Sequence, residues 1–266
     1  MNIAIVTGAS SGMGREFVRQ LGGYVSVDEI WAVARRASAL ETLKAETSVP
    51  VRPIVLDLLE ASSFTKLEAL LESEKPNVRL LVNAAGFGKF GAYRKIPVED
   101  DCRMIDLNCK ALLLMTRLCV PYMQPGSHIL ELDSLSAFQP VPYITTYAAT
   151  KAFVLSYSRA MNRELKAQGI RVMAMNPGWV KTEFFNHAFQ TNADNEVRYF
   201  NRLYEVKDVV KTGLNDLYHS KKDCSIHGFP VKFQVFLVKL LPHSLVMNTW
   251  LNQQKKAKNN KGLTTK

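Results

Sequence analysis

The chain is poor in cysteine, has no uninterrupted long apolar run and carries no stretch rich in Pro, Gly or Ser, and each shortage excludes a class of protein. The four cysteines, Cys102, Cys109, Cys119 and Cys224, match no metal-ligand spacing. Three of them fall in what reads as one buried helical region, so they are expected to be reduced structural thiols, as in a cytosol. The most apolar late segment, residues 235–250, is interrupted by Lys239, Pro242 and His243 and falls short of the ~20 apolar residues that span a bilayer. No transmembrane helix is therefore expected. The first residues run straight into a strand pattern without the charged region and apolar core of a signal peptide, so the expected location is cytoplasmic. With no linker and no fixed-period repeat, residues 1–254 read as one domain, followed by a basic tail, 255–266, expected to be disordered. That tail holds five lysines and no acid, half of the formal charge of +10. The remaining surplus is too weak to argue for a nucleic-acid partner.

What is present is a globular composition, 47% hydrophobic and 22% charged, enough to bury a sizeable core in 266 residues. Short apolar runs at 3–6, 30–34, 53–56, 80–82, 128–132 and 172–175 alternate with segments of helical length. A last strand is expected near 224–228. Continuous apolar strands are what a parallel sheet covered on both faces requires, because neither strand face meets water. The repeating order predicts an α/β, Rossmann-type doubly wound parallel sheet with right-handed crossovers.

After the first strand comes Thr7-Gly8-Ala9-Ser10-Ser11-Gly12-Met13-Gly14, then a helix predicted over 13–21. Glycines there allow a tight turn and close approach of the backbone to a pyrophosphate, whose charge rests on the free N–H groups and positive dipole of the helix start. The context of strand, glycines and helix points to a dinucleotide. At the end of the second strand, where an acid would bind a free ribose 2′-hydroxyl and select NAD, the chain has Ala34-Arg35-Arg36. A guanidinium pairs with a 2′-phosphate, so NADP(H) is expected over NAD(H); the plainer alternative is two solvated arginines. Asp57, with Leu58 beside it, is placed to accept a hydrogen bond from adenine. Asn83-Ala84-Ala85-Gly86 ends the fourth strand where a small residue passes the adenine ribose.

Tyr147 and Lys151 lie four apart in a helical segment over 146–165 and so share a face. Bringing a phenol near neutrality takes about 4 kcal/mol of preferential stabilisation of the phenolate. A nearby ammonium, aided by the positive ring of an oxidised nicotinamide, can supply it and make the phenol an acid for a ketone or a base for an alcohol.

Together these motifs resemble the short-chain dehydrogenase/reductase family over nearly the whole chain. The turn 7–14 is similar to its Thr-Gly-x-x-x-Gly-x-Gly, and Asn83 to Gly86 to its Asn-Asn-Ala-Gly, with Ala84 in place of the second asparagine. Ser134 precedes the tyrosine by the family's usual separation, and Asn176-Pro177-Gly178-Trp179-Val180-Lys181-Thr182 resembles its Pro-Gly-x-x-x-Thr segment. The resemblance implies that Ser134 binds the substrate oxygen, Tyr147 transfers the proton, and Lys151 holds the nicotinamide ribose. It also implies that Asn108 anchors a water linking Lys151 to solvent, and that Pro177, Gly178, Val180 and Thr182 border the nicotinamide. Ser136 is the alternative to Ser134, and a helix-bending role the alternative for Asn108. Ser11 stands where some NADP-preferring relatives carry a basic residue, which leaves selection of the phosphate to Arg35, with Arg36 in support.

The intact set Asn108, Ser134, Tyr147 and Lys151 speaks for an oxidoreductase rather than a silent NADP-binding regulator, and the 84 residues after Thr182 are too few for the substrate domain of an epimerase. The segment 183–205 is expected to cover the substrate. Its Phe184, Phe185, Phe189, Tyr199, Phe200 and Tyr204 suggest a bulky hydrophobic ketone or alcohol, steroid- or bile-acid-like, over a 3-ketoacyl or other small carbonyl compound. Alternatively these rings form only the lid's own contact with the core. Lys181 and His187 are candidates to meet an acidic substrate tail. Residues 229–250 are expected to pack over the pocket or against a neighbouring subunit of a homodimer or homotetramer in preference to lying on an anionic membrane surface.

Overall fold

The computed structural model describes residues 1–189 and 196–259. Strand β1 (Asn2–Thr7) shows why the apolar runs are continuous: Ile3 and Ile5 bury against helices on one face, Ala4 and Val6 against helices on the other, all four fully enclosed. The chain continues through α1 (Gly12–Gln20), β2 (Glu29–Ala34), α2 (Ala37–Thr42), β3 (Val51–Val55), α3 (Ala61–Glu74), β4 (Asn77–Asn83) and α4 (Val98–Ile105). A π-helical stretch, Asp106–Ala111, joins α4 to α5 (Leu112–Cys119), before β5 (His128–Leu132), α6 (Thr145–Glu164) and β6 (Arg171–Met175). The remainder comprises β7 (Trp179–Val180), α7 (Phe184–Ala188), β8 (Leu203–Tyr204), α8 (Val206–His219), β9 (Cys224–Ser225), α9 (Phe229–Leu240) and α10 (His243–Asn259).

Seven strands form one parallel sheet in the order β3-β2-β1-β4-β5-β6-β9, while β7 and β8 pair separately. This is a Rossmann-like single domain. The winding reverses between β1 and β4, so the connections leave the carboxyl ends of these strands in opposite directions and open a crevice between them. Phe17, Val18 and Leu21 of the α1 region and Val210 and Leu214 of α8 fill one side of the sheet; Leu67 and Leu71 of α3 and Met115 of α5 fill the other.

Two expectations are corrected. Cys109 and Cys119 are buried as expected, but Cys102 is exposed, since it lies on the outer side of α4. Helix α10 runs on through Asn259, past the boundary expected at 254, because Gln254 is buried and accepts hydrogen bonds from the Arg198 and Tyr199 amides at 2.8 and 2.9 Å, anchoring the last turns. Of residues 229–250, Gln234, Val235, Val238 and Trp250 line the central cavity, as expected of a segment packed over the pocket, whereas Phe229, Phe233, Phe236 and Leu240 face outward. No helix among the described residues is long and apolar enough to cross a membrane.

Candidate active site

The crevice is a cavity of about 670 Å³ whose floor is the glycine turn after β1. Gly8 adopts φ +67°, and a Cβ there would lie 2.8 Å from the Ala84 carbonyl oxygen. A Cβ on Gly14 would lie 2.3 Å from the carbonyl oxygen of Gly8, so the turn folds backbone onto backbone and admits no side chain. Thr7 fixes it to the neighbouring strand end, its Oγ1 accepting from the amides of Ala84 and Ala85 at 3.0 Å each. Helix α1 starts at Gly12 without a side-chain cap or an acid in its first turn. Its free N–H groups and positive end therefore meet the cavity beside Ser10, Ser11, Gly12 and Met13, a cradle shaped for a pyrophosphate.

Arg35 and Arg36 both line the same cavity at the end of β2. Arg36 spans its mouth: Nε donates to Ser10 Oγ at 3.3 Å and Nη2 to Glu183 Oε2 at 3.1 Å. Arg35 points to Asp57, 3.7 Å away. Asp57 is thus shared between Arg35 and the amide of Leu59, which its other oxygen binds at 3.1 Å. Leu58, Ala84 and Gly86 line the cavity as expected, and Pro177, Gly178, Val180 and Thr182 border its far part. Asn83 differs. Its buried amide turns away into the β4–α5 joint, donating to Thr116 Oγ1 at 3.1 Å and to Glu131 at 3.3 Å. It shapes the strand end from behind.

Tyr147 projects from α6 into the cavity, between the rings of Phe90 and Phe184, whose centroids lie 5.8 and 5.5 Å away. Burial pushes its phenol well above the usual range, opposed by a hydrogen bond with Ser134. The expected lowering by Lys151 is not produced by these side chains: the ammonium sits over the ring face, 5.6 Å from its centroid, and desolvation dominates. The phenol therefore keeps its proton through neutral pH. Lys151 is itself buried; its Nζ donates to the Leu132 carbonyl at 2.6 Å, and burial pulls its pKa down against the pull of Asp133. Ser134 Oγ also accepts from the Ser136 amide at 3.2 Å, whereas Ser136 Oγ is buried without a partner among the described residues. Asn108 sits in the π stretch, giving to the Phe87 carbonyl and Thr150 Oγ1 at 2.9 and 3.1 Å and taking from the Phe87 amide at 3.0 Å. It clamps the turn after β4 onto α6, beside Lys151.

Beneath this set lies a buried polar layer absent from the sequence-based expectations. Asp133 is held by the Asn176 side chain, and Asn176 also gives to the Ser134 carbonyl at 3.2 Å, locking the segment after β5 to the Pro-Gly segment. Glu131, fully buried, accepts from Thr116 at 2.9 Å, but its Oε2 has no partner among the described residues. An acid inside the apolar run 128–132, with a second just past its end, was the available signal. Burial raises Glu131 to about 7 from an ordinary 4.5. Between those values the unfolded chain has released the proton that the folded chain keeps, so stability falls as pH rises from about 4.5 to 7. Glu131→Gln is expected to remove this loss, up to about 3 kcal/mol. Urea denaturation at pH 5 and pH 8 checks it: the wild type should lose stability between the two and the variant should lose less.

Of the late aromatics, Phe184 and Phe185 line the cavity. Phe185 stacks on Phe189 at 5.9 Å and Phe200 packs edge-on against Trp179 at 4.9 Å, so Phe189 and Phe200 support the wall from behind. Tyr199 lies at a second, smaller cavity, and Tyr204 packs in the core beside Gly228. Lys181 is exposed and paired with Glu205, away from the cavity, while the side chain of His187 lies outside the described residues.

One cavity thus offers a dinucleotide cradle at one end and a proton-bearing phenol at the other, the division of labour of a nicotinamide-dependent oxidoreductase acting on CH–OH groups. Residues 2–193 match the family described as short chain dehydrogenase, and the chain belongs to that family. It is 35% identical over 197 residues to the NADP-dependent 3-hydroxy acid dehydrogenase YdfG of Escherichia coli, covering 71% of this chain and 77% of the relative. It is 27% identical over 263 residues to the probable short-chain type dehydrogenase/reductase VdlC of Helicobacter pylori, covering 91% and 94%. The short-chain dehydrogenase from Sphingobium yanoikuyae, solved in complex with NADPH, shares the fold with a TM-score of 0.75 at 23% identity, over 100% of this chain and 99% of that one.

Proposed function

We propose that this enzyme uses NADP(H) in preference to NAD(H) and interconverts a bulky, apolar ketone and its secondary alcohol, with 183–205 as the substrate-covering segment. The observation that carries the substrate reading is the setting of the phenol: Tyr147 lies between Phe90 and Phe184, and the adjoining walls are Val141, Ile144, Phe185 and Trp250. Such walls hold a substrate by ring faces and aliphatic contact and leave its carbonyl as the group to be oriented. Ser134 binds that oxygen and Tyr147 gives it a proton. Lys151, held through the Leu132 carbonyl, binds the nicotinamide ribose, and Asn108 positions the turn beside it together with the water that leads to solvent. The dinucleotide, when bound, supplies or accepts the hydride. The preference for NADP(H) is supported by Arg35 and Arg36 at the cavity edge and by the cofactor named for YdfG.

The likeness to YdfG favours a second reading, a small 3-hydroxy acid. A carboxylate needs a cation: Lys89 already lies 3.9 Å from Asp100, which leaves Arg103, also on the cavity wall, to meet one. Following NADPH loss against steroids, bile acids, quinones, sugars and 3-ketoacyl thioesters, and NADPH gain with 3-hydroxy acids and NADP⁺, separates the readings. The bulky alicyclic ketones should give the highest kcat/KM. A small acid as the best substrate, with steroids neither reacting nor competing, would overturn the apolar reading.

A further inference from the structure

Helix α9 carries two apolar stripes, and only one is used by the fold. Val231, Val235 and Val238 follow helical spacing and bury against the domain. Phe229, Phe233, Phe236 and Leu240 repeat the same spacing two residues out of phase, which turns them about 200° away from the buried stripe. All four are exposed, Phe229 by 79% and Leu240 by 66%, and Leu241 and Leu245 extend the patch across the turn into α10. A contiguous apolar face of this kind marks an interaction surface.

Charge says what covers it. From Phe229 to the last residue there is no aspartate or glutamate, against seven lysines, Lys232, Lys239, Lys255, Lys256, Lys258, Lys261 and Lys266. Lys232 and Lys239 flank the exposed stripe on α9, and Lys255, Lys256 and Lys258 are exposed along α10. A two-fold contact between copies would set these lysines against one another with no acid of the segment to pair them. Aromatic and leucine side chains on one side of a helix, lysines on its flanks and no acid fit the interface of an anionic bilayer. We propose that α9 and the start of α10 dock this enzyme on anionic lipid, with Phe233, Phe236 and Leu240 entering the headgroup–acyl boundary.

The position of the second cavity is consistent with such docking. It measures about 340 Å³, lies between α9 and α10 with Leu237 and Leu241 in its wall, and shares Trp179 and Trp250 with the catalytic cavity. A docked α9 therefore brings that opening to the lipid surface. The docking inference is independent of the substrate reading, because binding to vesicles is read without turnover.

The test is flotation of the full chain with vesicles of phosphatidylcholine alone or mixed with phosphatidylglycerol, at low and high salt. The protein is expected to float with the mixed vesicles at low salt, to be released by high salt, and to ignore phosphatidylcholine alone. Phe236→Glu with Leu240→Glu should lower the bound fraction by about tenfold or more, since it removes two apolar groups that would enter the bilayer and adds two charges of the lipid's own sign. Both positions are exposed and lie outside both cavities, so NADPH affinity and turnover on a water-soluble ketone should be unchanged, which confirms folding. Replacing Lys255, Lys256 and Lys258 with Gln should weaken binding to the mixed vesicles. Sedimentation velocity of the same proteins reads the competing outcome. The proposal is overturned if the wild type does not float with anionic vesicles, if the paired variant floats equally well, or if that variant instead splits an oligomer that ignores lipid.

Discussion

Tyr147→Phe is expected to lower kcat by about 10²–10⁴-fold, the range for loss of a positioned general acid, while NADPH binds as before. The ring keeps its contacts with Phe90 and Phe184, so packing is preserved and only the hydroxyl facing Ser134 is lost. The phenol's raised pKa gives the pH dependence its direction. With the proton held well into the alkaline range by burial, ketone reduction should stay near its maximum through neutral pH and decline only at high pH, whereas alcohol oxidation, which needs the phenolate, should rise with pH. Steady-state kinetics in both directions across pH, with Ser134→Ala as companion, provide the check. Ser134→Ala should also reduce kcat, through loss of the oxyanion donor. Near-normal turnover of Tyr147→Phe would remove the phenol from the mechanism.

The cofactor preference is the second large effect. A hydrogen bond to a charged phosphate contributes about 1.5–3 kcal/mol, so one guanidinium contact implies a roughly 10- to 150-fold preference in kcat/KM for NADPH over NADH. Two arginines share the cavity edge, with Arg36 already joined to the glycine turn through Ser10 and Arg35 beside Asp57. Arg36→Ala is therefore expected to matter as much as Arg35→Ala. The double replacement should abolish the preference, and Ala34→Asp with Arg35→Ala should reverse it by supplying an acceptor for the free 2′-hydroxyl. Equal kcat/KM for both cofactors in the unaltered enzyme would show both arginines to be merely solvated.

The parallel sheet was legible because its strands are buried on both faces: Ile3, Ala4, Ile5 and Val6 leave no polar alternation to confuse the pattern. The glycine turn was legible for a steric reason, since no side chain fits at Gly8 or Gly14. Helical spacing put Tyr147 and Lys151 on one face, the resemblance to the short-chain dehydrogenase family gave the pair its meaning, and the helix that carries them starts within one residue of the expected position. What sequence reasoning missed depends on contacts between distant segments. Nothing local to Asn83 says that its amide turns toward Thr116 and Glu131, and nothing local to Phe189 distinguishes a ring behind the cavity wall from one in it. The fate of residues 229–241 turned on phase: both stripes of α9 are apolar, and only the tertiary fold decides which one is covered.

The most direct test of the account follows NADPH and product together in the purified full chain offered a bulky alicyclic ketone. The account predicts loss of NADPH matched mole for mole by the secondary alcohol, with NADH much slower and the Tyr147→Phe protein binding NADPH but forming almost no alcohol. NADPH that binds tightly yet is never consumed, across the whole range of carbonyl compounds, would contradict it and leave a binding protein in place of an enzyme.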